Sequence, residues 1–424
     1  QVFECLFRVA RRLDLAPGPD HDVVLDMSSE DVFPDVVTAG ALQLKGAWTG
    51  LDLSQYQLAH GQTHWPKTFF IHDAGLFLCA WWDWSVSNAA SYGWDAAQSD
   101  PRQGKDVLIP AGQMHYTKGP EGQRQVLRER LHMRVGRSLW DVALPALAKP
   151  SEYREELAQH AFLDVWNVSK AADLVSMLAL LQRLVGPHTK VLTVIQNWQT
   201  GGFDTLLPDS VWMPDYPPNP AVGSAADLVA VAAQGRQLGR LAFRTNYALC
   251  RDQSPSVLHG LTANARGCDG APLWFTQPAS WPLLANRQEA QMAQLWGPNA
   301  SFTDQLTSGG ASQAYVDYSG LGTDSATMAG ALRHQQALAR VIKDTHQGPL
   351  GSETLNQQDL IGWYVDFGDF GFMDGHHRLA PLDYTLRRLR THTMFYGCGL
   401  SYRFFEVPPF KSYHKGELKL WEDP

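Results

Sequence analysis

From about residue 150 onward the chain alternates strand-like and helix-like segments, and this rhythm limits its fold more than any other feature. "HAFLDVWN" reads as a strand. Ser169 is placed to cap the helix that follows, whose apolar face carries Leu174, Met177, Leu178, Leu181 and Leu184, and Gly186-Pro187 stops it. "KVLTVIQNW" is the next strand. "SAAD" at 224–227 resembles a capping box with Asp for the usual Glu, opening a helix with Leu228, Val231 and Leu238. "RLAFRTNY" is a third strand and "APLWFTQP" another candidate, before a helix around "ANRQEAQMAQLW". "QAYVDYSG" reads as the next strand. A helix through Met328, Leu332, Leu338 and Ile342 then runs to Gly348, and "GPLGSE" and "LIGWYVDFG" follow. Such alternation predicts a parallel (β/α)8-type barrel over residues 151–424. An open doubly wound sheet is the alternative, but no GxGxxG or P-loop marks a strand–helix turn.

The first 150 residues read differently. "KTFFIHDAGLFLCAWWDWSVSN" places two apolar stretches around Asp73-Ala74-Gly75, the pattern of a hairpin. "QVLRERLHMRV" alternates Leu127, Leu131, Met133 and Val135 with Arg128, Arg130 and Arg134. Residues 1–150 are therefore expected to form a β-sandwich, with the junction at "ALAKPSEYREEL". A chain of 424 residues, 44% hydrophobic, has the length and apolar content for two such units.

Charge removes some functions. The net charge is −8 and no block of like charge occurs, which argues against nucleic-acid binding or a membrane-surface role. No apolar run reaches the roughly 18 residues of a membrane span. The opening "QVFECLFRVA" is neither a start methionine nor a signal peptide, so the chain reads as processed or excerpted. Cys5, Cys79, Cys250, Cys268 and Cys398 are scattered without zinc or redox spacing and read as ordinary thiols.

In a barrel, side chains at the C-terminal ends of the strands face the active site. The second strand ends in Gln196, Asn197 and Trp198, the third in Asn246 and Tyr247, "QAYVDYSG" in Asp317 and "GPLGSE" in Glu353. A buried strand has no structural need for these endings. Asp317 also reads as a helix cap, but Asp324 before "SATM" fits that role better. Asp317 and Glu353 on neighbouring strand ends would supply the two carboxylates of glycoside hydrolysis, one ionised at the anomeric carbon and one delivering a proton. In "IQNWQTGGFDTLLPDSVWMP", Gly201-Gly202 allow a tight turn, and Asp204 and Asp209 project from an aromatic loop suited to sugar hydroxyls. An ordinary βα loop with Asx-turns is the plain alternative. Asp366 in "VDFGDFG" is a third candidate acid.

The runs "QNWQTGGFDTLLPD", "RTNYALCRDQSPS", "AYVDYSG" and "GPLGSET" resemble the catalytic barrel of glycoside hydrolase families 101 and 129, the endo-α-N-acetylgalactosaminidases and related α-N-acetylgalactosaminidases. The resemblance covers roughly residues 160–400. It implies a retaining hydrolase of α-linked N-acetylgalactosamine, as in mucin-type O-glycans, or of a close relative. Matched residue by residue, Asp317 would be the nucleophile and Glu353 the acid/base. Asn197, Trp198, Asp204, Asp209, Asn246, Tyr247 and Asp366 would be sugar-site candidates. One departure is that Glu353-Thr354-Leu355 stands where Glu-Trp-Gly would be expected. A retaining α-glycosidase of other sugar specificity and a catalytically silent carbohydrate-binding barrel are the alternatives.

No cofactor is called for, and a structural calcium ion is compatible with the sequence without being indicated by it. His376-His377 lack a third nearby ligand and read as a solvated turn, and no GxSxG elbow suggests a serine hydrolase. The expected partner is a carbohydrate or glycoprotein O-glycan.

Overall fold

The computed structural model describes residues 21–38, 42–44, 68–73, 76–93, 107–109, 113–136, 149–165, 170–202, 204–211, 218–307, 315–320, 324–353, 359–360, 362–368 and 394–395. The N-terminal part contains β1 (His21–Ser29), β2 (Val36–Thr38), β3 (Leu42–Leu44), β4 (Thr68–Asp73), β5 (Leu76–Trp82), β6 (Ser91–Gly93), β7 (Val107–Ile109), β8 (Gln113–His115) and β9 (Leu127–Gly136). These form a four-stranded sheet β1-β9-β5-β4, a three-stranded sheet β2-β8-β6 and the pair β3-β7, all antiparallel. Asp73 pairs with Leu76, so the hairpin expected at Asp73-Ala74-Gly75 is present. The alternation read in "QVLRERLHMRV" is strand β9, which buries Leu131 and, on the same face, Glu129.

The second part runs α1 (Arg154–Leu157), β10 (His160–Val165), α2 (Ala171–Val185), β11 (Lys190–Ile195), α3 (Ala225–Leu238), β12 (Gly239–Thr245), α4 (Pro255–Leu258), β13 (Asn264–Arg266), β14 (Pro272–Thr276), α5 (Trp281–Leu295), β15 (Ser301–Thr303), α6 (Met328–His346), β16 (Leu350–Ser352), β17 (Phe367–Gly368) and β18 (Met394–Phe395). Seven strands make one sheet in the order β10-β11-β12-β15-β16-β17-β18, and every neighbouring pair is parallel. This is a parallel half-barrel, in keeping with the expected (β/α) architecture.

Period-2 alternation gives the strands two faces. Val191, Ile195, Leu241 and Phe243 pack with Leu174, Leu178, Leu228 and Val231 of α2 and α3. Leu192, Val194, Ala242, Phe302 and Phe367 form a separate cluster with Leu157, and this is the inner face. The expected capping box closes α3: Ser224 Oγ accepts from Asp227 N while Ser224 N donates to the Asp227 carboxylate. On α2, Leu174 and Leu178 are buried, whereas Met177 and Leu184 are exposed, so the buried stripe is narrower than expected. Ser169, its expected cap, lies outside the described residues, as do Cys5, Cys398, His376 and His377.

Two strand assignments need correction. "APLWFTQP" does form β14, but it pairs antiparallel with β13 as a hairpin inside the β12–α5 connection. "QAYVDYSG" is not a strand at residues 315–318. Tyr315 and Val316 are apolar because they are buried against core side chains, with Tyr315 packing edge-on to Phe275 and Trp281. The strand in that place is the shorter β15, "SFT". The N-cap of α6 is Thr327, whose side chain accepts from Gly330 N, while Asp324 pairs with Arg333 instead.

The two parts share a core. Trp82, Trp84, Tyr92 and Met114 cluster with Tyr247, Tyr315, Met328 and Leu332. The first turn of α6 is satisfied from the N-terminal part, since Met328 N donates to Ala89 O and Ala329 N to Ser87 O. No described helix is long and apolar enough to cross a membrane.

Candidate active site

The inner-face residues lead directly to the mouth of the sheet. Phe302 of β15 pairs with Gly351 of β16. Continued two residues along parallel strands, that register sets Asp304 opposite Glu353. Likewise Thr245 pairs with Thr303, which sets Asn246 beside Asp304. Asp304 and Glu353 are the first residues beyond β15 and β16, which are adjacent parallel strands, and both follow the inner-face parity of Phe302 and Gly351. Tyr315 lies near this end of the sheet: burial raises its phenol pKa, the charges of Asp304 and Glu353 add to that, and its hydroxyl donates to the carbonyl of Gln305.

Arg244, the last inward residue of β12, is buried and binds two carboxylates. Its Nη1 lies 2.8 Å from Asp204 Oδ1, and its Nη2 pairs with Asp304 Oδ2. Burial works against the guanidinium charge, but Asp304 and Asp204 outweigh it and hold the pKa above the ordinary value. Burial pushes the Asp204 carboxyl upward, opposed by Arg244. Asn246 Nδ2 lies 3.4 Å from the same Asp304 Oδ2, while its own Oδ1 accepts from the backbone N–H of Ala248 and Leu249. Asn197, Asp204 and Gln305 have φ of 55°, 59° and 60°. Such left-handed backbone is uncommon outside glycine and concentrates at functional sites; here it turns the chain sharply after β11 and β15. A cleft of about 410 Å³ opens beside Asp204, lined also by Thr205, Cys250, Arg251, Asp252 and Gln253. Burial pushes the Cys250 thiol up to about 11, so it is un-ionised at neutral pH.

Several residues expected at the site are elsewhere. Asp317 is 1% exposed and its carboxylate is engaged by backbone and hydroxyl donors. Oδ1 accepts from Arg266 N at 2.8 Å and Ser319 N at 2.9 Å, and Oδ2 from Ser319 Oγ at 2.6 Å. It ties the β15–α6 loop to β13 and is not at a strand end. Asp209 is likewise consumed: it accepts from Ser256 N at 2.6 Å, from Ser256 Oγ at 2.5 Å and from Gln288 Nε2 at 3.0 Å, anchoring α4. Trp198 is core, packed on Phe243 and Trp296 with its indole N–H on the Arg244 carbonyl. Tyr247 is core as well, donating to Glu289. Asp366 lies at the opposite end of the sheet, where it accepts from Leu350 N at the start of β16 and from Ser151 Oγ and Lys343. Burial pushes its carboxyl up to about 6.

The mouth therefore gathers Asp204, Arg244, Asn246, Asp304 and Glu353, with Asn197 at the adjoining strand end. Asp304 and Arg244 were missed by sequence reasoning. The missed signal is Gly-Pro: Gly186-Pro187, Gly297-Pro298 and Gly348-Pro349 each end a helix and precede a barrel strand, and the second of these announces "NASFTD". Among the described residues no group of three or more His, Cys, Asp or Glu could hold a metal ion.

No family model and no curated protein matches the sequence. The fold is similar to solved structures of the α-N-acetylgalactosaminidase NagBb from Bifidobacterium bifidum. Its GalNAc complex aligns with a TM-score of 0.61 at 12% identity, over 88% of this chain and 69% of that one. Its Gal-NHAc-DNJ complex gives 0.59 at 11% identity, over 88% and 68%. The ligand-free form gives 0.58 at 12% identity, over 85% and 68%. The resemblance seen in the sequence motifs thus has a counterpart at the level of the fold.

Proposed function

We propose that this protein is a retaining glycoside hydrolase acting on α-linked N-acetylgalactosamine, or on a closely related α-glycoside, with Asp304 as nucleophile and Glu353 as acid/base. The observation that supports this reading is the parallel β15–β16 register, Phe302 opposite Gly351, which continued past the strand ends leads to Asp304 and Glu353. The sugar follows from the fold likeness and the sequence resemblance together. The role expected for Asp317 passes to Asp304, because Asp317 is off the sheet with its carboxylate engaged.

The chemistry follows from the contacts. Arg244 and Asn246 both address Oδ2 of Asp304, which fixes the carboxylate and turns Oδ1 toward the substrate. Oδ1 attacks the anomeric carbon as the glycosidic C–O bond breaks, and Glu353 gives its proton to the departing oxygen. A glycosyl ester on Asp304 results. Glu353, now ionised, takes a proton from water, whose oxygen attacks the same carbon and releases Asp304 with the starting configuration. With Glu353 protonated, the carboxylates of Asp204 and Asp304 against the one guanidinium of Arg244 still leave the mouth negative, which suits an oxocarbenium-like transition state. Asp204, held by Arg244 and lining the cleft, is the group for sugar hydroxyls. The antiparallel sheets before residue 150 are read as the β-sandwich that supports this barrel.

The test is a pair of variants. Asp304→Asn should abolish turnover while the protein stays folded. Glu353→Gln should cripple substrates with poor leaving groups and spare activated aryl glycosides in the first step, with azide speeding the second. Wild-type turnover in folded Asp304→Asn would refute the assignment.

A further inference from the structure

We infer that Trp274 and the adjoining cleft form a binding subsite for a sugar unit on the leaving-group side of the scissile bond; this rests on the glycosidase reading above. Trp274 is 44% exposed although tryptophan is a large apolar side chain. It stands on β14, in the long β12–α5 connection, and such βα connections emerge at the face of the sheet where Asp304 and Glu353 lie. Its indole is held rigidly from behind: it packs edge-on to Phe275 and to Tyr315, at ring-centroid distances of 5.4 and 6.0 Å. Tyr315 is the residue whose phenol feels both Asp304 and Glu353. The exposed ring thus packs on Tyr315, whose hydroxyl donates to the carbonyl of Gln305, the residue next to Asp304.

The backbone of the same strand leads to a polar cleft. The Trp274 carbonyl accepts from Cys250 N at 3.3 Å, and Cys250 lines the cleft that also contains Asp204, Arg251, Asp252 and Gln253. Asp204 connects that cleft to the mouth through Arg244. An aromatic face beside a row of hydrogen-bonding side chains has the chemistry of a pyranose site: the ring covers the C–H face and the polar groups take the hydroxyls. The ring being attacked must sit deep, against Asp304. The exposed Trp274 is therefore left for the unit that departs. Asp317 has a part in this arrangement, because its bond to Arg266 N fastens β13, and with it β14, to the β15–α6 loop.

The experiment compares two substrates with unactivated alkoxide leaving groups, a methyl α-glycoside and an α-linked disaccharide, in the wild type, Trp274→Ala and Trp274→Phe. The wild type should prefer the disaccharide in kcat/KM. Trp274→Ala should lose about tenfold on the disaccharide and nothing on the methyl glycoside, and Trp274→Phe should recover most of that loss. Equal effects on both substrates, or no effect on either, would overturn the subsite while leaving the glycosidase reading standing. If the wild type hydrolyses neither substrate, the glycosidase reading fails. Titration of intrinsic fluorescence with the same disaccharide then decides the subsite: quenching lost in Trp274→Ala and kept in Trp274→Phe supports it, and identical curves overturn it.

Discussion

Replacing Asp317 should damage the fold and leave the chemistry. Its carboxylate accepts three hydrogen bonds, at 2.8, 2.9 and 2.6 Å, and the first of these joins the β15–α6 loop to strand β13, 51 residues away in sequence. Hydrogen bonds to charged groups contribute about 1.5–3 kcal/mol each, and a buried donor left without a partner costs about 1–3 kcal/mol. Ala leaves the backbone N–H of Arg266 and Ser319 without that acceptor, so Asp317→Ala should lose roughly 3–5 kcal/mol. Asn keeps a carbonyl oxygen for both N–H groups and loses the charge, so Asp317→Asn should lose about 1–2 kcal/mol. Urea unfolding measures both losses, and initial rates on an aryl α-glycoside below the unfolding transition measure the chemistry. Folded Asp317→Asn should keep kcat within about threefold of wild type. A variant that unfolds at the wild-type urea midpoint yet has lost turnover would refute this and return Asp317 to the reaction.

Three further outcomes follow from buried groups. Glu129 accepts from Tyr116 and Ser87 in the core, and burial pushes its pKa up to about 7 from an ordinary 4.5. The fold therefore favours the protonated acid. Its contribution is fully present below pH 4.5 and is lost as pH rises through 7, an amplitude of about 3 kcal/mol at most. Glu129→Gln should flatten that part of the stability–pH curve, and an unchanged slope would count against it. Gly351→Ala would place a methyl 2.1 Å from the Phe367 ring inside the sheet, so the melting temperature should fall by an amount equivalent to about 1–3 kcal/mol. Asp209→Ala removes the acceptor for Ser256 N and a partner of Gln288 and should cost about 2–4 kcal/mol in urea, whereas direct loss of sugar binding without destabilisation would contradict its structural role.

Much of the barrel was legible because its helices carry their own punctuation. The Ser224/Asp227 box and the Gly-Pro stops are local chemistry, and local chemistry survives in sequence. The strand that carries Asp304 was not legible in the same way. β15 has three residues, Ser301, Phe302 and Thr303, too few for periodicity to show. The longer apolar run ending in Asp317 looked more like a strand, yet its apolar character reflects packing of Tyr315 against Phe275 and Trp281. Trp198 turns outward because the left-handed backbone of Asn197 breaks the alternation, and Asp209 lies in the loop well past β11. Tyr247 was misread for a related reason. A polar or aromatic residue just past a strand can turn inward to the mouth or outward to the helices, and one step along the chain exchanges the two. Glu353 and Asn246 fall on the inward parity, and Tyr247 on the outward one. Arg244 was overlooked because a charged residue inside a strand is interpretable only once its two carboxylate partners, 40 residues before it and 60 after it, are seen in space.

The mechanism is decided by which aspartate receives the sugar. A 5-fluoro α-glycosyl fluoride reacts in the first step and is slow in the second, so the glycosyl ester accumulates on the nucleophile. Trypsin should release Gln288–Arg333, which contains Asp304, Asp317 and Asp324, and fragmentation of the labelled peptide assigns the added mass. The label should lie on Asp304. A label on Asp317 or any other carboxylate would contradict the assignment made from the strand register.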